Sequence, residues 1–473
     1  MDGPTAQPRT LAGVVDSVTM TPPLDRAQWG IEVYDAAADR PLVRRNAGKH
    51  FIPASNTKLV VTAVALAELG PEYRFRTDVY VAGAPAGDTT ATELVVVGHG
   101  DPTLSARFHP TAVAPLEALA DSVALAGIGR ITGDLVVDVT FFDTVAVHPA
   151  WELGDLTWSY AAPTSAFAIA EAAVEVEIAP GAAPGDTART AVPLPPTILP
   201  VHAAVVTDTA GAATTVHALY RPTSDTLYIV GTIPVDAAVD TFAFAVRHPA
   251  RVAGRAFAAA LEARGIEVLG SVRVRRDTAR ADAEPTPLRR IAAWHSAPLR
   301  DIVAAVLKPS QNWIAEQLLK TLGAERAGRG SWTAGLEVER RYLVDVAGID
   351  STAFYLRDGS GLSAQNLLAP HALVQLLAHA RAQPWGAAYR RALPRPGEPE
   401  TTLEERLDAV AGRVAAKTGT ITHVVALSGF ARTTGGRELI FSILTNGTGR
   451  PSGVVQRGID RMVSAIVEQG GRE

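Results

Sequence analysis

The chain has 473 residues, of which 47% are apolar and 20% charged, and its formal net charge is −5. This is ordinary globular composition, and the length allows two to four domains. A weakly acidic chain excludes the basic surface typical of nucleic-acid-binding proteins. The absence of cysteine excludes disulfides and thiolate metal sites.

Membrane and export signals are missing from the printed chain. No apolar run reaches the about 18 residues that a membrane-spanning helix needs. The first ten residues, MDGPTAQPRT, lack the charged and then apolar pattern of a signal peptide. On this ground, either the protein is cytosolic or the printed chain begins after a removed signal peptide.

The first predicted elements are a hairpin and a helix. Residues 30–35 alternate like a strand, a polar turn follows, and residues 42–46 return. A helix is predicted to begin at residues 53–55, because apolar residues then recur at helical spacing until Gly70.

The middle of the chain is rich in short strands. Between about residues 77 and 160 they are separated by Gly, Asp and Pro turns, as in ELVVVGHG and DLVVDVTFFD. Residues 165–250 are rich in Ala, Thr, Val and Pro, and they include the strands AVEVEIAP and TLYIVGTI. This second stretch is predicted to be a separate all-β module.

The end of the chain has the clearest pattern. Residues 413–421, 423–434 and 438–446 are predicted to form three successive strands, and residues 453–469 a closing amphipathic helix. The economical interpretation is one α/β domain built from both ends of the chain, with a long insertion between them.

Lysine is rare in this chain. It occurs at only five positions, namely Lys49, Lys58, Lys308, Lys320 and Lys417. Arginine stays charged in proteins, whereas a buried lysine can be tuned toward neutrality. A lysine kept one helical turn after Ser55 therefore suggests a base that activates the serine hydroxyl. The simpler interpretation is a serine N-cap followed by a solvated lysine.

Two further polar stretches have the same double interpretation. Ser310 and Asn312 follow a proline and could reach one target from a loop, or Ser310 could cap a helix. In the predicted strand Lys417-Thr418-Gly419-Thr420, the lysine and the glycine share one face, where a ligand or another backbone could approach closely. The alternative is an edge strand that carries a lysine against aggregation.

Taken together, Ser-x-x-Lys, Ser-x-Asn and Lys-Thr-Gly occur in the order found in penicillin-interacting serine enzymes. The chain thus resembles the serine β-lactamase and penicillin-binding superfamily. The long stretch between Lys58 and Ser310 resembles the low-molecular-mass class C penicillin-binding proteins, the PBP4-type D-alanyl-D-alanine carboxypeptidase/endopeptidases of peptidase family S13. GHGDPTLS (98–105), DLTWSYAAPTSA (155–166) and DGSGLSAQN (358–366) are also similar to segments of that family.

The resemblance implies an α/β fold: a β-lactamase/transpeptidase-like domain, with an antiparallel sheet flanked by helices, and a large nested β-rich insertion. The catalytic penicillin-binding domain would comprise residues 1–76 and 290–473. Domain II would comprise residues 77–160 and 251–289. Domain III, β-rich, would be nested in domain II as residues 161–250.

The resemblance also implies roles for the catalytic residues. Ser55 would attack the carbonyl of a terminal D-Ala-D-Ala bond, and Lys58 would be its base. Ser310 would relay the proton to the leaving amine. Asn312 would orient Lys58 and hydrogen-bond the substrate amide. The backbone N–H groups of Ser55 and Thr420 would form the oxyanion hole.

The implied binding residues lie on the late strand and in the insertion. Lys417 would raise the local positive potential, and Thr418 and Thr420, beside Gly419, would bind the terminal carboxylate of the substrate. Asp155 matches a family position that holds the free amine of a diaminopimelate side chain; its alternative is a surface turn aspartate.

One position departs from the family pattern. Arginine often follows DGSGLS in the family and helps to hold a side-chain carboxylate, but this chain has Ala364 there. A bidentate carboxylate clamp is missing at that position. Recognition of a diaminopimelate-type end would need another residue.

The expected function is that of a serine D-Ala-D-Ala carboxypeptidase/DD-endopeptidase. It would act on peptidoglycan stem peptides through an acyl-enzyme and be acylated by β-lactam antibiotics. No cofactor, metal, nucleic acid or membrane span is expected. The implied location is periplasmic or otherwise extracytoplasmic, after removal of a signal peptide. The alternatives are an esterase, amidase or β-lactamase-like hydrolase on the same scaffold, and a non-catalytic wall-binding protein.

Overall fold

The computed structural model describes residues 10–83, 88–219, 221, 224–277 and 287–469. Residues 1–9, which bear on the signal-peptide expectation, and residues 278–286 of the predicted domain II lie outside the described residues. The α-helices are, in chain order, α1 (Leu11–Thr19), α2 (Lys58–Glu68), α3 (Ala114–Leu125), α4 (Pro249–Glu262), α5 (Leu299–Leu307), α6 (Asn312–Ala327), α7 (Trp332–Arg341), α8 (Pro370–Ala382), α9 (Gly386–Ala392) and α10 (Ser452–Gln469).

The strands are short in the middle of the chain and longest near its ends. In chain order they are β1 (Gln28–Asp35), β2 (Arg40–Arg45), β3 (Arg76–Ala82), β4 (Thr90–Ala91), β5 (Glu93–Gly98), β6 (Arg130–Ile131), β7 (Leu135–Asp138), β8 (Ala173–Ala179), β9 (Arg189–Ala191), β10 (Val201–Asp208), β11 (His217–Leu219), β12 (Leu227–Pro234), β13 (Asp240–Ala245), β14 (Glu267–Val268), β15 (Val272–Arg275), β16 (Leu288–His295), β17 (Phe354–Tyr355), β18 (Leu367–Leu368), β19 (Val414–Ile421), β20 (Val424–Arg432) and β21 (Glu438–Asn446). A 3₁₀ turn, Ala54–Thr57, precedes α2.

The chain divides into two compact units. The first takes in the described residues up to Tyr73, Pro298–Gly328, and those from Trp332 onward. The second consists of Arg74–Ala297 and Arg329–Ser331. The first unit is therefore assembled from both ends of the chain, with the second inserted between them.

The first unit is built on a five-stranded antiparallel sheet with the strand order β19-β20-β21-β1-β2. β1 pairs with β21 along its whole length, from Gln28 opposite Asn446 to Asp35 opposite Leu439. The predicted hairpin and the three predicted late strands are confirmed by this sheet. The N-terminal hairpin thus completes a sheet that the C-terminal strands begin.

The two faces of this sheet carry different helices. On one face, alternate residues such as Ile31, Leu427 and Phe441 join the apolar sides of α1 and α10 in one buried cluster. The other face carries the residues of opposite parity, including Glu32 and Lys417, since successive strand residues point to opposite faces. There, His371 of α8 hydrogen-bonds the buried Glu32.

The helix that follows Ser55 begins later than its pattern predicts. Residues 54–57 form a 3₁₀ turn, and α2 starts only at Lys58. Ala54 has a positive φ of 48°, which interrupts regular helix geometry at this point. Residues 58–66 of α2 are all buried. A helix that is buried all round lies in the core of its domain, and Lys58 is carried into that core.

The second unit contains a five-stranded sheet with the order β15-β7-β5-β3-β16, and three-stranded sheets with the orders β10-β12-β11, β13-β8-β9 and β14-β6-β4. The five-stranded sheet is mixed, because β5, β7 and β15 pair in parallel while β3 and β16 pair antiparallel. Helices α3 and α4 pack on it. The predicted division of this insertion into domains II and III stays a prediction.

Candidate active site

Ser55 lies in a strained turn. Its neighbour Ala54 has a positive φ of 48°, and such conformations cost about 1–3 kcal/mol and cluster at functional sites. Neither the 3₁₀ turn nor α2 has a side-chain cap, so Ser55 does not serve as the N-cap of the simpler interpretation. Asn56 donates a hydrogen bond from Nδ2 to the carbonyl of Lys417 at 3.2 Å, which ties the turn to β19.

The amine of Lys58 is fully buried and makes three short hydrogen-bond contacts. Nζ lies 2.8 Å from Ser55 Oγ, 2.6 Å from Asn312 Oδ1 and 2.7 Å from the carbonyl oxygen of Ser360. The last two atoms can only accept hydrogen bonds. They therefore take two protons of the amine, and the third position faces the serine. A neutral Lys58 directs its lone pair at Ser55 Oγ.

Burial lowers the pKa of Lys58 from 10.5 to about 7, although the charges of Glu316 and Asp358 oppose the shift. An ammonium group is disfavoured where water cannot reach it, and nearby carboxylates restore part of its stability. A base with a pKa near the working pH combines a populated neutral form with useful basicity. The Lys58 amine is thus suited to take a proton from Ser55.

Ser310 lies between two helices. α5 ends at Leu307, and Ser310 has a positive φ of 64°. Gln311 occupies the N-cap of α6, where its Oε1 accepts a hydrogen bond from the N–H of Ile314 at 3.1 Å. The alternative in which Ser310 is the cap is therefore wrong, and its hydroxyl lies 2.8 Å from Lys417 Nζ instead.

Lys417 is a second fully buried lysine. Besides Ser310 Oγ, its Nζ contacts the carbonyl oxygen and Oγ1 of Thr418, at 2.9 and 3.4 Å. Burial, and then the charge of Lys58, lower the pKa of Lys417 well below 10.5. β19 is an edge strand of its sheet, as the alternative interpretation assumed, but the buried Lys417 side chain is not a solvent-exposed charge that blocks strand pairing.

The residues that follow Lys417 line up along the end of β19. Thr418 Oγ1 donates to Thr402 Oγ1 at 2.7 Å, and Thr420 is exposed. A Cβ on Gly419 would come within 2.8 Å of the Pro53 carbonyl oxygen. Glycine thus allows β19 to run directly beside the turn that carries Ser55. This close approach was expected of a strand glycine, although a backbone rather than a ligand supplies the contact.

Asp155 and Ala364, which the sequence analysis connected with substrate side-chain recognition, are not among the hydrogen-bond partners of Ser55, Lys58 or Lys417 described above. Asp155 belongs to the second unit, where its Oδ1 accepts a hydrogen bond from the Tyr160 hydroxyl at 3.0 Å. Ala364 is exposed in the first unit. The missing carboxylate clamp at Ala364 and the amine-binding role of Asp155 both stay predictions.

Glu316, Glu339 and Lys320 were not recognised from the sequence as site residues, whereas Asp358 belongs to the segment DGSGLSAQN already noted for its family similarity. Glu316, Glu339 and Asp358 are all fully buried in the first unit, and Lys320 is 1% exposed. Asn312, Glu316 and Lys320 recur at intervals of four residues, so they share one face of α6. A polar stripe on an otherwise apolar helix, together with the scarcity of lysine, was the available signal.

These contacts form two hydrogen-bonded groups. One joins Ser55, Lys58 and Asn312, and the other joins Ser310, Lys417 and Thr418. A serine hydroxyl in contact with a buried, tunable amine is the arrangement needed for nucleophilic acyl transfer. Among the residues that the structure describes, no cluster of histidine and acidic side chains is arranged to hold a metal ion. Within the same described ranges, no helix is both long enough and apolar enough to cross a bilayer.

Comparisons with known proteins agree with this geometry. The Peptidase S13 family, described as the D-Ala-D-Ala carboxypeptidase 3 (S13) family, matches residues 11–466. A D-alanyl-D-alanine carboxypeptidase of Actinomadura sp. (strain R39) is 35% identical over 472 residues, which cover 97% of this chain and 85% of that protein. The carboxypeptidase DacB of Mycolicibacterium smegmatis is 27% identical over 479 residues, covering 98% of this chain and 85% of that protein.

A solved structure shares the fold. The crystal structure of penicillin-binding protein 4 (dacB) from Haemophilus influenzae superposes with a TM-score of 0.81 at 23% identity, covering 92% of this chain and 94% of that one. The predicted fold class and the predicted family resemblance are confirmed. The chain belongs to the S13 peptidase family, the D-Ala-D-Ala carboxypeptidase 3 family.

Proposed function

We propose that this protein is a serine D-alanyl-D-alanine carboxypeptidase that works through an acyl-enzyme, with Ser55 as nucleophile and Lys58 as its base. The observation that carries the proposal is the setting of the Lys58 amine. Asn312 Oδ1 and the Ser360 carbonyl oxygen, which can only accept hydrogen bonds, bind the amine, and the Ser55 hydroxyl lies 2.8 Å from it. The family and the 35% identical relative support the reaction class.

Acylation begins when the neutral Lys58 amine takes the proton of the Ser55 hydroxyl. Ser55 Oγ then forms a bond to the carbonyl carbon of the penultimate D-alanine, and the carbonyl oxygen becomes an oxyanion. Backbone N–H groups of Ser55 and Thr420 would stabilise this oxyanion. A single donor in such a hole is worth about 3 kcal/mol of transition-state stabilisation.

The second half of acylation breaks the peptide bond. The bond between the carbonyl carbon and the amine of the terminal D-alanine is broken, and the amine takes up a proton as it leaves. Ser310 is the proposed relay for that proton, and its contact with Lys417 Nζ at 2.8 Å supports this role. Water later attacks the ester carbon, which releases the shortened peptide and returns the proton to Ser55.

Substrate binding is assigned to β19. A terminal carboxylate would meet the Lys417 amine and the hydroxyls of Thr418 and Thr420. The charge of Lys417 is favoured by such an anion, because burial otherwise destabilises the ammonium form. A β-lactam carries a comparable carboxylate next to a strained amide, so the same contacts would direct it to Ser55.

The proposed substrates are peptidoglycan stem peptides that end in D-Ala-D-Ala. Endopeptidase activity would follow if the leaving amine belongs to the side chain of a second, crosslinked stem peptide instead of a terminal D-alanine. Peptidoglycan lies outside the cytoplasmic membrane, so we place the enzyme there. Asp155 is the proposed partner of a free amine on the substrate side chain.

The test is intact mass after incubation with benzylpenicillin. The wild-type protein should gain one penicilloyl group, and Ser55→Ala should gain none. Ser310→Ala is the matched control, since it removes a second active-site hydroxyl but leaves the nucleophile, and slow acylation should still be detected. A protein that never forms an adduct and never hydrolyses the drug would contradict the proposal.

An esterase or amidase on the same scaffold is the second candidate. Ala364 favours it, because the arginine that holds a side-chain carboxylate in the family is replaced by an exposed alanine. Turnover of a D-Ala-D-Ala tripeptide should be compared with turnover of a small neutral ester. The carboxypeptidase assignment expects a kcat/KM for the peptide that depends on its terminal carboxylate. Equal turnover of a carboxyl-amidated peptide would favour the second candidate.

A further inference from the structure

The amine of Lys58 is held from behind by a tight turn, residues 358–361 (the DGSG turn). All four residues of this turn are buried, and the Ser360 carbonyl oxygen is 2.7 Å from Lys58 Nζ. This contact is independent of Ser55 and Asn312, and none of the three motifs contains it. The turn therefore decides where one proton of the amine points.

The carbonyl that meets Lys58 belongs to the peptide unit between Ser360 and Gly361. The N–H of the same peptide unit, on Gly361, donates to Asp358 Oδ1 at 2.8 Å. A continuous path thus runs from the Asp358 carboxylate through one peptide group to the Lys58 amine. Hydrogen bonds in such a chain polarise one another, so the carboxylate strengthens the Ser360 carbonyl as an acceptor.

Glu316 of α6 holds the preceding peptide groups. Its Oε1 accepts from the N–H of Ser360 at 2.7 Å, and its Oε2 accepts from the N–H of Gly359 at 3.1 Å. The indole N–H of Trp332 also donates to Oε2, at 2.7 Å. Three donors favour an ionised carboxylate, although burial and Asp358 raise the pKa of Glu316.

Asp358 is itself fixed by the segment that follows the turn. Its Oδ2 accepts from the N–H of Ser363 at 2.7 Å, and its Oδ1 accepts from Asn366 Nδ2 at 2.8 Å. The turn is also pressed against the residue before the nucleophile. Gly361 has a φ of 79°, and a Cβ there would lie 1.9 Å from the Ala54 carbonyl oxygen. Only glycine permits this approach.

We infer that Asp358 and Glu316 are positioning residues for the Lys58 amine, acting through the DGSG turn so that the amine directs its free position at Ser55. This inference deepens the proposed function and rests on it. The two carboxylates hydrogen-bond the turn and reach the Lys58 amine through it. They act by fixing an acceptor that orients the base.

The charges around the amine determine what removal of a carboxylate should do. Lys58 is faced by Glu316 from α6, by Asp358 from the turn and by Lys417 from β19. The two carboxylates are faced in turn by Glu339 of α7, while Lys320 Nζ lies 4.4 Å from the ring centre of Trp332. Both carboxylates raise the pKa of Lys58 against the effect of burial. Neutralising either one should lower it further.

The deciding measurement is the Lys58 titration in the whole protein. Only five lysines are present, so the Cε signals of lysine-labelled protein can be followed by NMR and assigned with Lys58→Arg. Asp358→Asn should shift the titration midpoint of Lys58 downward by about 1 pH unit. Acylation of Ser55 by benzylpenicillin should reach a plateau at high pH, where Lys58 is neutral. Asp358→Asn should also lower this plateau rate by about 10–100-fold, because the acceptor for the amine is no longer fixed.

Glu339→Gln is the matched control. Glu339 is a buried carboxyl of the same cluster, but it makes no hydrogen bond to the DGSG turn among the described residues. Burial and the two neighbouring carboxylates raise its pKa well above the usual range, which favours the neutral form, and glutamine has nearly the same shape as that form. The Lys58 titration and the acylation plateau should both keep their wild-type values.

Glu316→Gln provides a second variant if Asp358→Asn fails to fold, and its thermal unfolding should be recorded first. It should shift the Lys58 midpoint in the same direction and lower the plateau by a smaller factor. An unshifted midpoint in the folded variants would overturn the inference. A shifted Lys58 midpoint together with a wild-type plateau rate of acylation would also overturn it. In that case the carboxylates would change the pKa of Lys58 without positioning its amine.

The two proposals fail in different ways. The NMR titration does not depend on any substrate, so it reports on the carboxylates even if the assigned reaction is wrong. Absence of a penicilloyl adduct on wild-type Ser55 would count against the proposed function. A normal adduct with an unchanged titration in both carboxylate variants would count against this inference alone.

Discussion

Two buried lysines of the first unit have the same side chain and the same complete burial, yet different surroundings. Lys58 has the carboxylates of Glu316 and Asp358 behind it, and these oppose the effect of burial on its pKa. Among the described residues, the hydrogen-bond partners of Lys417 Nζ are neutral oxygens, and the charge of Lys58 adds to the effect of burial. Burial alone therefore does not define what a lysine can do at this site.

The difference separates a base from a binding cation. With a pKa held at about 7, Lys58 can exchange a proton near neutral pH. In the part of the chain that the structure describes, Lys417 has no carboxylate partner, and a bound anion would therefore stabilise its charged form. This comparison supports the proposal that Lys58 transfers the proton and that Lys417 binds the substrate carboxylate.

The largest expected effect comes from replacing each lysine by arginine. Lys58→Arg should lower the acylation rate by about 10³–10⁴-fold, because guanidinium cannot act as a base. Lys417→Arg keeps a cation and should cost about 10–100-fold, through altered geometry. The second-order rate of benzylpenicillin acylation, followed by intact mass, measures both. Equal losses in the two variants would erase the proposed division of roles.

The pH dependence of acylation should reflect Lys58. Its pKa is lowered to about 7, so the amine is charged below that pH and neutral above it. The acylation rate should therefore rise about 50-fold from pH 5 to pH 7 and level off above about pH 8, at about 100 times its value at pH 5. Stopped-flow rates across this range test the sign. A rate that is flat or that falls with pH would show that a neutral Lys58 is not required.

A new charge beside Lys58 should move that profile in the opposite direction to the carboxylate removals. Asn312 Oδ1 lies 2.6 Å from Lys58 Nζ, so Asn312→Asp places an anion against the amine. The Lys58 pKa should rise by about 1–3 units, and acylation at pH 7 should fall by about fivefold or more. Asn312→Ala is the matched control, since it removes the same hydrogen bond and adds no charge. Its profile should not move to higher pH.

The smallest expected effect concerns Lys417. A bound carboxylate should raise the lowered pKa of Lys417, so binding should take up part of a proton and weaken as pH rises. Calorimetric titration of a D-Ala-D-Ala peptide into Ser55→Ala, in two buffers of different ionisation enthalpy, measures the uptake. Lys417→Met should abolish it. Proton release in place of uptake would contradict the assignment of Lys417 as the carboxylate partner.

Much of the first unit could be predicted from the sequence. The β1–β2 hairpin, the strands β19, β20 and β21 and the closing helix all followed from apolar periodicity. Strand alternation also placed Lys417 and Gly419 on one face. The pattern failed where the backbone leaves regular geometry. Ala54 and Ser310 adopt positive φ values, which delay α2 and move the α6 cap to Gln311.

The amino-acid sequence by itself determined the family, the order of the three motifs and the choice of lysine at positions 58 and 417. These properties depend on residue types and on their spacing along the chain, so they can be read without knowing which elements meet in space. Only the tertiary structure decided which charges surround each lysine. Glu316 and Asp358 come from α6 and from the DGSG turn, far from Lys58 in the chain. Electrostatic interactions depend on distance and burial in space, so the pKa values that distinguish the two lysines arise only when these elements pack together.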